Sequence, residues 1–281
     1  MQITQEQADY LRQQHVQICI PCYGGQVFEC VMVSMLKFTI LANRIGMNFS
    51  LDTMVNESLI TRGRNNLVAK VMQNSNSTHL FFIDADIGFE PEHIFQLLLH
   101  DKEVVGGFYP KKSLPIDYVV NVSPDHVDAN GNIGINNNLI PLTRLGTGFM
   151  MVKKSAIQKM FDAYPETKYT GNIGLSQELN PFMYALFDTM ITKDGEYCSE
   201  DWTFCDRWRA IGGEIWGDIT IKLDHTGHFR YPGDPVAIGN RLGIKAEAPR
   251  IASSRGAETQ EEILEADKAR IAKEQPKKKK K

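Results

Sequence analysis

The sequence predicts an α/β fold with a mostly parallel central sheet flanked by helices, and three observations lead there. Short β-branched and aromatic runs alternate with helical stretches over the first hundred residues, which is the pattern of successive βαβ units. Two acids, Asp84 and Asp86, leave the end of a buried apolar run, where open α/β sheets bind ligands. The chain has 281 residues and 42% hydrophobic content, enough for one large domain or one domain with a small appendage.

Val16 to Cys22 (VQICIPC) reads as the first strand and ends at Gly24-Gly25. A helical stretch from Val27 to about Ile45 follows, with Gly46 as its stop. Asn48 to Val55 is the second strand, Arg64 to Gln73 the second helix, and His79 to Ile83 (HLFFI) a buried third strand. A helix begins near Pro91, a good first-turn residue, and runs through Ile94, Leu97 and Leu98. Glu103 to Tyr109 is the next strand. From there to Asn138, the Asn and Gly residues of NVSPDHVDANGNIGINNN predict a small β-rich excursion with an exposed hairpin.

Leu145 to Val152 reads as a strand, Lys153 to Tyr164 as a helix, and Tyr164 to Pro181 as a loop of the kind that covers a substrate. Phe182 to Phe187 reads as a strand, Glu200 to Ile211 as a helix closed by Gly212-Gly213, and Glu214 to Asp224 as one or two strands. Beyond Pro232 the pattern fades. The expected organisation is a domain over residues 1–235 and a C-terminal extension over 236–281, with a surface helix across Glu258 to Glu274 and a lysine tail.

Lys plus Arg total 31 against 34 Asp plus Glu, a formal net charge of −3. Lys277 to Lys281 hold five of the positive charges; without them 26 bases face 34 acids, and the body sits near −8. That balance argues against a broad basic face for duplex binding, while the tail is either solvated or a contact for anionic surfaces. Five cysteines, Cys19, Cys22, Cys30, Cys198 and Cys205, are an odd number, and no signal-peptide pattern opens the chain, so a reducing, cytoplasmic setting is expected. Val27 to Ile45 is interrupted by Glu29, Lys37, Asn43 and Arg44, which predicts a buried amphipathic helix and no membrane span.

Asp84 and Asp86 would repel each other in a dry crevice unless a cation or hydrogen-bond donors satisfied them. They suit a hard divalent ion, or else a pair of capping acids after a strand. Arg62 and Arg64, in TRGRNN, oppose the dipole at a helix start, an arrangement that an anionic ligand would offset and that solvent also tolerates. Ser199-Glu200-Asp201 at the next helix start serves capping equally well. The CxxC of Cys19 to Cys22 lacks a partner pair and reads as a buried strand with two thiols.

Taken together these segments resemble the GT-A fold glycosyltransferases, especially the stand-alone, bacterial or viral, family 2-like enzymes, over roughly residues 16–232. The Asp84-Ala85-Asp86 signature follows a hydrophobic strand as theirs does. The resemblance implies that Asp86 coordinates Mn²⁺ or Mg²⁺ on the diphosphate of a nucleotide sugar, while Asp84 contacts the ribose or the metal. It implies that Pro21 and Tyr23 flank the nucleoside, that Arg62 and Arg64 serve the diphosphate, and that Gly148, in LGTGF, borders the donor sugar. Asp201 would be the general base of an inverting transfer, Glu200 would position the acceptor, Trp202 would stack on sugar, and His225 would be a metal ligand in preference to His228.

The implied donor is a UDP- or GDP-sugar. The acceptor is left open among glycan, lipid-linked sugar, protein and modified DNA base. Two other readings stand beside this one: a sugar-phosphate nucleotidyltransferase, which usually carries an early Gly-rich loop with basic residues that GGQVFEC lacks, and a non-catalytic carbohydrate-binding module.

Overall fold

The computed structural model describes residues 3–171 and 175–243. The chain divides into two units, 1–245 and 246–281. The expected helix over 258–274 and the lysine tail lie outside the described residues, as do 172–174 of the expected cover loop.

In chain order the elements are α1 (Gln5–Arg12), β1 (His15–Pro21), α2 (Glu29–Ile45), β2 (Asn48–Met54), α3 (Ile60–Gln73), β3 (His79–Ile83), β4 (Ile87–Gly88), α4 (Glu92–Leu99) and β5 (Val104–Gly107). There follow β6 (Asn121–Val122), β7 (Leu139–Arg144), β8 (Phe149–Lys153), α5 (Lys154–Ala163), β9 (Met190–Ile191), β10 (Tyr197–Cys198) and α6 (Glu200–Ala210). The last are β11 (Ile215–Asp218), β12 (Asp224–Thr226), β13 (Arg230–Tyr231) and α7 (Pro235–Arg241).

Eight strands form one sheet in the order β2-β1-β3-β8-β5-β11-β7-β6. β1 pairs parallel with β2 and β3, and β5 parallel with β11, while β8 and β7 pair antiparallel with their neighbours. Six of the eight strands therefore run one way, which is the mostly parallel α/β sheet expected. Two cores explain the apolar runs: in β3, Leu80 and Phe82 enter one core, and Phe81 and Ile83 the other. A strand buried on both faces has no polar alternation. Ile238 of α7 joins the first core, so that helix packs with the sheet.

Gly46 caps α2 at φ 81° and Gly212 follows α6 at φ 86°, both in the left-handed region that ends helices, as the sequence predicts. Two strand expectations are corrected. Leu145 to Val152 is two things: Leu145 to Gly148 is a connection, and only Phe149–Lys153 is strand, because β7 pairs with β11 while β8 crosses to lie between β3 and β5. Phe182 to Phe187 is no strand. It makes a single antiparallel bridge, Tyr184 to Lys168, with Ala185 N donating to Thr167 O at 2.8 Å, and side chains satisfy much of the rest: Asn65 Nδ2 donates to Phe187 O at 2.7 Å and Asn65 Oδ1 accepts from Phe187 N at 2.9 Å, while Arg207 donates to the carbonyls of Ala185 and Leu186. The β-rich excursion is present as β6 and the Pro110–Tyr118 and Val127–Ile133 bridges, the second closing a turn at Asp128–Gly131.

Candidate functional site

The carboxyl end of β3 delivers Asp84 and Asp86 as the sequence predicts, and three other segments converge on them. The first is β12, which pairs antiparallel with β4 in a small separate sheet with β13. His225 sits opposite Ile87, and Thr226 N donates to Asp86 O at 2.9 Å. This register carries His225 Nε2 to 3.5 Å from Asp86 Oδ1 across 139 residues of sequence. The His225 Nδ1 lies 2.7 Å from Pro110 O, an atom that only accepts, so Nδ1 carries the proton and Nε2 faces the carboxylate. Burial alone would push the Asp86 carboxyl up, but His225 and Lys112, whose ammonium bonds Asp86 Oδ2, hold it below the ordinary value.

The second segment is the start of α3. Arg64 is buried and donates from Nη2 to Asp84 Oδ1 at 2.9 Å and from Nε to Glu200 Oε1 at 3.2 Å. Burial alone would lower its pKa; the two carboxylates outweigh that and raise it. Its Nη1 is buried without a hydrogen-bond partner among the described residues. Arg62 is placed differently: it forks onto Glu57 at 2.6 and 2.8 Å, next to the start of the same helix. The second arginine expected at the diphosphate is therefore held by a carboxylate of its own.

The third is the start of α6. Ser199 stands at the N-cap but makes no side-chain capping bond; its hydroxyl donates to Asp201 Oδ1, which also accepts from Trp202 N at 2.9 Å. The capping reading of Ser199 gives way to one in which it holds Asp201 through Oδ1, with no hydrogen bond to Oδ2 among the described residues. Burial raises the Asp201 pKa, and neighbouring Glu200 adds to the rise, while the Ser199 bond opposes it. A cleft of about 450 Å³ opens here, lined by Tyr109, Lys112, Arg144, Asp201, Trp202 and His225 among others. The Arg144 guanidinium lies 4.3 Å over the Trp202 ring and is itself anchored on Asp206 and Glu196.

Gly146 and Gly148 accommodate a protein ring: a Cβ on Gly146 would meet the Tyr109 hydroxyl, and one on Gly148 would sit 2.8 Å from that ring. Gly148 N donates to Tyr109 Oη at 3.3 Å, and Gly148 O accepts from Asp84 N at 3.0 Å. Gly148 is thus in contact with Tyr109, whose pKa burial pushes up, helped by Asp84 and Asp201. On β1, the register carried two residues past Cys19–Phe82 sets Pro21 level with Asp84, and Tyr23 beyond it is 64% exposed. All five cysteines are free thiols.

Asp86 and His225 fit a divalent cation: a hard carboxylate oxygen faces an imidazole nitrogen whose partner nitrogen is fixed by a carbonyl. Asp84 points to Arg64, so the expected third ligand is engaged by a guanidinium, and among the described residues no group of three His, Cys, Asp or Glu is spaced for a metal. The sequence reading missed Lys112, Tyr109 and Arg144. A signal existed in the Tyr109-Pro110-Lys111-Lys112 run directly after β5, at the ligand-binding edge of the sheet.

No family model matches this chain, and no curated protein matches it in sequence. Among solved structures it is similar to A197 from STIV, at 12% identity and a TM-score of 0.45, over 86% of this chain and 100% of that one. It is also similar to a glycosyltransferase involved in the glycosylation of the major capsid of PBCV-1, at 12% identity and a TM-score of 0.28, over 58% of this chain and 72% of that one. A third is HddC from Yersinia pseudotuberculosis complexed with GMP-PN, at 11% identity and a TM-score of 0.29, over 51% and 78%. No helix among the described residues is long and apolar enough to cross a membrane.

Proposed function

We propose that this chain is a glycosyltransferase that moves a sugar from a nucleoside-diphosphate donor to an acceptor hydroxyl, with Asp201 as general base. The observation that supports it most is that one buried guanidinium, Arg64, bonds both Asp84 at the end of β3 and Glu200 at the start of α6, joining the acids expected to serve donor and acceptor. Asp86 and His225 are the residues that would hold Mn²⁺ or Mg²⁺, and a cation there would supply positive charge for a departing diphosphate. The unpartnered Nη1 of Arg64 offers one more donor to that anion.

In the proposed reaction the acceptor oxygen forms a bond to the anomeric carbon as the carbon–oxygen bond to the diphosphate breaks, and that electron pair leaves with the diphosphate. The acceptor proton passes to Asp201 Oδ2. Burial makes this carboxylate a stronger base than an exposed one, and Ser199 and the Trp202 amide hold it in place through the other oxygen. Attack from the face opposite the diphosphate inverts the anomeric centre. UDP- and GDP-sugars are the donors to test, with glycan, lipid-linked sugar, protein and modified DNA base as acceptors.

The test is a screen of nucleotide sugars for Mn²⁺-dependent release of UDP or GDP. Release by the wild-type chain that Asp86→Ala abolishes supports the reading; no release from any donor, with each acceptor class present, overturns it.

A further inference from the structure

The sequence singles out Val27 to Ile45 as its longest mostly apolar stretch, and the fold uses only one side of the helix it forms. In α2, Val31, Ser34, Phe38 and Ala42 face the core, and the opposite side is left to solvent. That outer side carries Phe28, Met32, Leu36 and Ile40 at successive four-residue steps, 42, 51, 59 and 56% exposed. An apolar stripe on the side of a helix away from its core is ordinarily covered by something else.

The patch extends beyond the helix. Phe49 packs on Phe38 with ring centroids 5.0 Å apart, so the side chain of Leu51, two residues on, leaves the sheet on the same face as α2, and it is 49% exposed. These five side chains present roughly 500 Å² of apolar surface, at the upper end of what a monomer shows and enough for the centre of an interface of about 800 Å² per partner. Among the described strands, β2 is also an edge of the sheet, with one row of backbone groups facing no described neighbour.

We propose that this surface is the interface of a homodimer in which α2 packs antiparallel on α2 of a second copy, across a two-fold axis near Leu36. Charge complementarity selects a second copy as the occupant. Glu29 and Arg44 are both exposed at opposite ends of the helix, and antiparallel packing centred on Leu36 places each acid beside the partner's base, twice by symmetry. Met32 then lies opposite Ile40 of the other copy, and Leu36 opposite its equivalent. An anionic bilayer fits the surface poorly. Its rim is charge-balanced, Lys37 is paired with Glu90, and the body without its lysine tail sits near −8.

The proposal is independent of the glycosyltransferase reading, and its test needs no substrate. Sedimentation of the full chain from about 1 to about 100 µM should show a dimer. Leu36→Asp should give a folded monomer, with unchanged circular dichroism. Arg44→Glu alone should weaken the dimer at least tenfold, and Glu29→Arg combined with Arg44→Glu should restore it. A wild-type chain that stays monomeric overturns the proposal, whether its apolar face then binds phosphatidylcholine–phosphatidylglycerol vesicles or is covered by residues beyond 245. A dimer unchanged by Leu36→Asp, or a charge reversal not rescued by the double exchange, overturns it equally.

Discussion

Arg64 Nε donates to Glu200 Oε1 at 3.2 Å, across 136 residues of sequence, and ties the first turns of α3 to the first turn of α6. The same guanidinium holds Asp84. Removing one partner of a buried ion pair costs more than the pair contributes, because the remaining charges stay buried and unpaired. Arg64→Met should therefore destabilise the fold by about 3–5 kcal/mol, read from urea denaturation. Arg64→Lys keeps the charge but not the two-pronged geometry, and should fall between Met and wild type.

Lys112 and a divalent cation compete for one carboxylate. Lys112→Met frees Asp86 Oδ2 and should tighten Mn²⁺ binding several-fold, measured by calorimetry on the full chain. Asp86→Ala should abolish both that binding and metal-dependent turnover while leaving the melting temperature within a few degrees. Tightening in Lys112→Met that persists in the Lys112→Met, Asp86→Ala double variant would move the ion elsewhere.

Asp201→Asn should spare donor binding and cut transfer by at least about a hundredfold. A base acts deprotonated, and burial lifts this carboxyl above its ordinary 3.8, so the acid limb of kcat/KM should lie above that value and rise with pH. Ser199→Ala removes a bond that opposes the lift, and should move the limb further up. A limb unmoved by Ser199→Ala would separate it from Asp201.

Acid should destabilise the fold well before the carboxylates titrate. The His79 ring is buried at the start of β3, and burial, reinforced by Lys153, lowers its pKa from 6.5 to about 4. A histidine lowered in this way must stay neutral to fold, so its stability contribution is intact above 6.5 and is lost as pH falls toward 4. That gap corresponds to roughly 3 kcal/mol. His93 is also lowered to about 4 by burial and adds in the same direction. Asp86 acts lower still: its depressed carboxyl contributes stability above 3.8 that is lost as pH falls through its folded value. Melting temperature against pH should drop between 6.5 and 4, and His79→Gln should reduce that drop.

Much of this arrangement could be read in the chain because its causes are local. HLFFI is apolar because β3 is covered on both faces, and Gly46 and Gly212 end helices through their own backbone freedom. Asp84 and Asp86 could be placed at a strand end for the same reason. What could not be read depends on partners distant in sequence. Nothing within Phe182 to Phe187 shows that Asn65 replaces a neighbouring strand, and nothing in LGTGF shows that its glycines yield to the Tyr109 ring. Pro141 hides β7, since proline argues against an interior strand; it sits opposite Trp216 all the same. The outer face of α2 misled in another way, since an apolar stretch implies cover without saying whose.

The two-residue strand β4 leaves Asp86 immediately before it and receives β12 as its neighbour, so the early acid and the late histidine are stitched by backbone. Length changes in loops between Lys112 and Leu223 are consequently silent at this pair, provided the stitch re-forms, whereas Pro110 and Lys112 hold it directly. Deleting one residue between Leu223 and His225 is not silent: with side chains alternating across a strand, it turns the imidazole to the opposite surface and presents Asp86 with a neighbour of different chemistry. The tolerance of this centre to evolution is set by parity along three residues, far more than by the hundred that precede them.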